Sequence, residues 1–152
     1  MITLKEGDKA PAFTGTDQDG NTISLKDYKG KMLVLYFYSE AGSPTCTLES
    51  CNLRDNYAAL KKKGFEVVGV SPDTQAAQKK FETKYKLPFP LIADPGNKIT
   101  SGYGVHDMKK LFGREYMGIL RTTFIIDGKG TIRKIFLKPK NKAHAEEIMA
   151  AL

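Results

Sequence analysis

Two thiols, Cys46 and Cys51, stand five positions apart in a chain of 152 residues that holds no other cysteine. A thiolate can attack an electrophile, ligate a metal or close a disulfide, so this pair is where chemistry is sought first. Zinc fits poorly, because structural zinc typically takes four ligands in closely spaced pairs and the chain adds only His106 and His144, both remote in sequence. A C-x-x-C redox motif has two residues between its cysteines, whereas four separate Cys46 from Cys51. A redox pair of longer spacing remains, against the plain reading of two small buried hydrophobes.

Position favours the redox reading for Cys46. Ser43 followed by Pro44 is a helix-start signal, since a serine side chain caps free amides and proline suits the first helical turn. Cys46 then falls within that turn, where the helix dipole and unpaired backbone N–H groups favour thiolate over thiol. On a helix, five residues advance about 7.5 Å along the axis and about 140° around it, which puts the two Cα atoms roughly 8.7 Å apart. Bridging two cysteines without backbone movement requires less than about 7 Å. A disulfide between Cys46 and Cys51 therefore requires the first turns to unwind, an order–disorder switch.

These residues need a scaffold, and the apolar pattern supplies one. The continuous run at 33–38 (Leu-Val-Leu-Tyr-Phe-Tyr) has the character of a central strand covered on both faces. Strands are also predicted at 65–70, 90–93 and 122–126. The stretch 131–137 follows the turn Asp127-Gly128-Lys129-Gly130 as the second arm of a hairpin. Asp19-Gly20 marks a second, N-terminal hairpin. Helices are predicted over 45–63, ending at Gly64, over 74–85 after the Ser71-Pro72-Asp73 break, and over 143–152. This order predicts an α/β fold of the thioredoxin-like kind: one domain over 1–152, with a mixed sheet flanked by helices on both faces. The segment bearing the cysteines leaves the carboxyl end of the central strand, where active sites of open α/β sheets gather.

Composition removes several other classes. With 41% hydrophobic and 27% charged residues the chain reads as globular rather than disordered or fibrous. The longest apolar run, 32–38, falls far short of the roughly 20 residues of a membrane span, and Met1-Ile2-Thr3-Leu4-Lys5 lacks a leader's apolar stretch. A cytoplasmic protein without membrane association is expected. The net charge of +7 comes from lysines scattered over separate segments, among them Lys61-Lys62-Lys63, Lys79-Lys80 and Lys109-Lys110. They read as solvated faces, and no nucleic-acid partner is expected.

The residues around the thiols resemble the peroxiredoxins, specifically the Q-type or bacterioferritin comigratory subfamily, and the resemblance extends over nearly the whole chain. It is strongest from Leu35-Tyr36-Phe37-Tyr38 through Ser43-Pro44-Thr45-Cys46-Thr47 to Glu49-Ser50-Cys51-Asn52-Leu53-Arg54-Asp55. Asp8-Lys9-Ala10-Pro11-Ala12-Phe13, Gly69-Val70-Ser71-Pro72-Asp73 and Arg121-Thr122-Thr123-Phe124-Ile125-Ile126-Asp127 are similar as well. Two positions depart from the pattern: Ser39 stands where the family's active-site motif opens with proline, and Thr45 replaces the usual glycine before the cysteine. Loss of the proline removes a ring that packs over the reacting sulfur, and activity is expected to survive it.

The resemblance implies a peroxidase in which Cys46 attacks the O–O bond, becomes a sulfenic acid and is resolved by Cys51 as an intramolecular disulfide. It implies that Arg121, the Ser43 hydroxyl and the Cys46 amide donate to the peroxide oxygens, where negative charge develops. Ser43 as a plain helix cap and Arg121 as a surface ion pair are the competing readings of those side chains. The implied partners are hydrogen peroxide or organic hydroperoxides and thioredoxin as reductant, with glutaredoxin the other candidate. No metal, haem or flavin is required, and a monomer is expected, a weak dimer being compatible. The rival is a dithiol–disulfide oxidoreductase acting on protein disulfides. Thioredoxins, however, carry a proline where this chain has Leu120-Arg121-Thr122-Thr123.

Overall fold

The computed structural model describes residues 2–152. Its centre is β3 (Met32–Phe37), whose last five residues are buried. That run is apolar without alternation because both of its faces are covered. β3 pairs in parallel with β4 (Phe65–Ser71) and antiparallel with β8 (Thr122–Ile126). β5 (Leu91–Ala93) extends the parallel side, and β9 (Ile132–Phe136) closes the other edge as the second arm of the expected hairpin. β1 (Thr14–Thr16) and β2 (Thr22–Ser24) form the N-terminal hairpin. Asp17 Oδ1 accepts from the amides of Asp19 and Asn21 in its turn, and Gly20 takes φ +83 there. The seven-stranded order is β2-β1-β5-β4-β3-β8-β9, the mixed sheet of a thioredoxin-like fold.

The two faces are covered unequally. Even-numbered β3 residues Val34 and Tyr36 share one core with Leu53, Leu60, Phe81 and Ile148. Those residues come from α1 (Pro44–Asp55), α2 (Tyr57–Lys62), α3 (Gln75–Tyr85) and α5 (His144–Ala151). Odd-numbered Leu33, Leu35 and Phe37 enter a second core with Phe124 and Ile132, closed by Ile99 of α4 (Lys98–Gly102) and by Leu25 and Tyr28 of a 3₁₀ turn. Each such fully buried apolar side chain contributes about 1.5–3 kcal/mol, so β3 fixes the register of everything around it. No helix among the described residues is long and apolar enough to cross a membrane.

The single helix expected over 45–63 is two. Asn56 divides α1 from α2 at φ −107, ψ 9, and both its backbone N–H and its side-chain Nδ2 donate to the Asn52 carbonyl. An asparagine that offers its own side chain to the backbone competes with the helical ladder in this way. A further hairpin was not expected at all: β6 (His106–Leu111) and β7 (Arg114–Ile119) form a separate two-stranded sheet. Its two-residue loop holds Phe112 at φ 51 and Gly113 at φ 76, the all-positive geometry of a I′ turn, with Phe112 in a place usually taken by asparagine or aspartate.

Candidate active site

The loop that leaves β3 is held from the neighbouring strand. The Asp73 carboxylate accepts from the Ala41 amide at 2.8 Å and from the Ser71 hydroxyl at 2.6 Å. Gln78 of α3 donates to Ser71 Oγ at 2.8 Å and to the Ile92 carbonyl at 2.9 Å, and it accepts the phenol of Tyr38. Residues 38–41 are thus tied to the ends of β4 and β5 before Gly42, at φ +89, turns the chain into α1. Burial pushes the phenols of Tyr36 and Tyr38 well above the usual tyrosine range, so both remain neutral.

α1 starts where the sequence predicts, with Ser43 at the N-cap and Pro44 as the first helical residue. The expected cap bond is absent: the Ser43 hydroxyl accepts nothing from the helix amides, although its carbonyl receives the Thr47 N–H at 2.8 Å. The amides that a cap would receive are those of Thr45 and Cys46, and the Ser43 hydroxyl takes neither. Cys46 is the third helical residue, is 1% exposed and is a free thiol. Its N–H belongs to the first helical turn, whose amides lack carbonyl partners within the helix. Its sulfur lies 3.7 Å from the Ser39 hydroxyl.

Cys51 lies on the same unbroken helix, less buried and also free. Burial pushes its thiol up; Arg54 opposes this and Asp55 reinforces it. On this helix the two residues are set about 140° apart around the axis, with Cα atoms roughly 8.7 Å apart, beyond the reach of a disulfide.

Arg121 comes to α1 from the opposite side. β8 runs antiparallel to β3 with Thr122 beside Phe37, so the residue before β8 lies at the carboxyl end of β3. Its Nη2 is 3.6 Å from Glu49 Oε1, and Glu49 lies three residues after Cys46, on the same helical face. Arg121 Nη2 also donates to the Pro139 carbonyl at 3.4 Å, whereas Nε is buried with no acceptor among the described residues. The Glu49 side chain is fully buried, and neither of its oxygens has a hydrogen-bond partner there. Burial pushes its carboxyl up to about 7 against the pull of Arg121, with Glu147 adding to the rise.

Behind Glu49 sits His144 of α5, whose imidazole is held below its usual range by burial and by Arg121, while Glu147 opposes. Its Nδ1 lies 2.8 Å from Glu147 Oε2, and Nε2 lies 2.8 Å from Thr123 Oγ1. A carboxylate only accepts, so the neutral ring carries its proton on Nδ1 and receives the threonine hydroxyl at Nε2. It has no donor left for Glu49, 3.8 Å from Nε2.

The fold therefore gathers Ser43, Cys46 and Arg121 at one end of the sheet, with Cys51 further along α1. Reasoning from sequence had not assigned roles to Ser39, Glu49, Asp73 or His144. The only signal for Ser39 was its departure from a proline; the others are defined by partners far away in the chain.

With this geometry in place, comparison with known proteins is decisive. Residues 6–135 match the model of the AhpC/TSA family. The chain is 42% identical over 151 residues to a putative peroxiredoxin bcp of Coxiella burnetii, covering 99% of this chain and 100% of that protein. It is also 42% identical over 151 residues to the peroxiredoxin Bcp of Bacillus subtilis, covering 99% and 96%. Among solved structures, a bacterioferritin comigratory protein of Xanthomonas campestris, described as having alkyl peroxide reduction activity, superposes with a TM-score of 0.86 at 27% identity, covering 91% and 88%. The chain belongs to the AhpC/TSA family, as a peroxiredoxin of the Bcp type. Its activity is that of a thiol peroxidase, which sets aside the rival reading of a protein-disulfide oxidoreductase.

Proposed function

We propose that Cys46 is the peroxidatic thiol and Cys51 its resolving partner. The Cys46 thiolate forms an S–O bond with one peroxide oxygen as the O–O bond breaks. The electron pair leaves on the other oxygen, which takes a proton to become water or alcohol. The sulfenic acid left on Cys46 is then attacked by Cys51, releasing water and closing a disulfide. A dithiol reductant, thioredoxin in this reading, returns two electrons and two protons. The observation that carries the assignment is the Arg121 Nε: a buried donor without an acceptor, on a guanidinium that reaches the helical face bearing Cys46. A donor left unpaired in this way is kept for charge that arrives with substrate. The Ser43 hydroxyl, free of its cap bond, and the Cys46 amide complete the donor set. The substrates are hydrogen peroxide and organic hydroperoxides, and the protein works as a cytoplasmic monomer.

The test is peroxide consumption with a thioredoxin system. Cys46→Ser is expected to abolish it, and Cys51→Ser to permit one oxidation per chain and then stall. Sustained turnover by Cys46→Ser would overturn the assignment.

A further inference from the structure

We propose that Ser39 is a catalytic residue of this peroxidase, its hydroxyl donating a hydrogen bond to the Cys46 thiolate. The proposal rests on Cys46 being the attacking sulfur. Ser39 Oγ and Cys46 Sγ are 3.7 Å apart. Between a thiol and a hydroxyl either group can donate, but a thiolate has no hydrogen, so ionisation of Cys46 fixes Ser39 as the donor. A hydrogen bond made to the charged form favours that form. The need is acute here because the sulfur is 1% exposed and water has little access to its charge.

Ser39 also borders open space. With Glu40, Pro72, His106, Lys109 and Tyr116 it lines a cleft of about 380 Å³ between the loop after β3 and the β6–β7 hairpin. A hydroxyl has one hydrogen and two lone pairs. While its hydrogen points to the sulfur, its lone pairs are left to the solvent of the cleft. During attack the sulfur pair enters the new S–O bond and the O–O pair departs with the leaving oxygen. The Ser39 hydrogen stays on Oγ throughout and loses its anionic partner as charge moves away from sulfur. The bond is therefore stronger in the ground state than in the transition state. It raises the amount of thiolate at low pH and blunts each thiolate's reactivity at high pH.

This opposition gives the proposal a signature that a merely structural side chain lacks. In a Cys51→Ser background, where Cys46 is the sole thiol, the rate of iodoacetamide alkylation is followed against pH for Ser39, Ser39→Ala and Ser39→Thr. Removing a bond to a charged group moves the half-maximal point of Ser39→Ala upward by about one pH unit, and Ser39→Thr stays with the serine protein. Single-turnover peroxide reduction by Ser39→Ala falls about tenfold at pH 6 and meets or exceeds the serine protein by pH 9. Coincident alkylation curves, or a rate loss that is uniform in pH, would overturn the role of Ser39. Peroxide reduction that persists in Cys46→Ser would instead defeat the underlying assignment of the sulfur.

Discussion

Glu49 carries an acid into a place where neither oxygen finds a donor, and its carboxyl is pushed up to about 7 by burial, from an unfolded value near 4.5. The folded chain thus keeps a proton that the unfolded chain has already released. Stability from this source is complete below pH 4.5 and falls as pH rises through 7. His144 acts in the opposite sense, but its lowered titration confines its effect below about pH 6.5; Arg121 and Glu147 complete the set of charges facing Glu49. Between pH 6.5 and 8 the stability of wild type should fall relative to Glu49→Gln by a little under about 1 kcal/mol, the last part of a loss that runs mainly between pH 4.5 and 7. Urea midpoints at several pH values measure this, and parallel profiles for the two proteins would show Glu49 ionised throughout. At this scale the sequence reveals residue types but not their neighbours. The sequence places Ser43 and Cys46 at the start of α1, as found, whereas Arg121 stood out only through the family resemblance. Glu49 and His144 acquire their character only when α5 and β8 close over α1.

Helix α5 has no cap of its own. Ala143 stands at its N-cap position without a side chain to offer, and the Ala145 N–H is received instead by Asn52 Oδ1 of α1 at 2.7 Å. The other end of the same amide donates to the Lys142 carbonyl at 3.1 Å and to Glu146 Oε1 at 3.1 Å. Asn52→Ala should therefore destabilise the protein by about 1–2 kcal/mol, the cost of a lost cap together with its reciprocal bonds. Denaturant unfolding reads the loss, and an unchanged midpoint would mean that water replaces the cap freely. A cap supplied from another helix leaves no local signature, which is why the C-terminal helix was legible and its anchor was not. The β6–β7 hairpin escaped for a related reason: Met108, Tyr116 and Met117 are exposed, so no buried alternation marks its strands.

For the whole molecule, the long apolar run of β3 and the punctuation around β8 and β9 disclosed the sheet. They disclosed less about how its faces are dressed: α1, α2, α3 and α5 all pack into one core, and short segments close the other. This crowding has a consequence for the redox cycle. Asn52, which holds α5, immediately follows Cys51, so in the proposed cycle the stretch that unwinds for a Cys46–Cys51 disulfide to close ends at the joint between the two helices. Lys140 and Lys142 are exposed just ahead of α5, and the Lys142 carbonyl is one of the groups Asn52 holds. Trypsin should accordingly cleave after these lysines several times faster in the peroxide-oxidised protein than in the dithiol form, with Cys51→Ser keeping the slow pattern after the same treatment. A protease ladder would then read the oxidation state of the thiols from the far end of the chain.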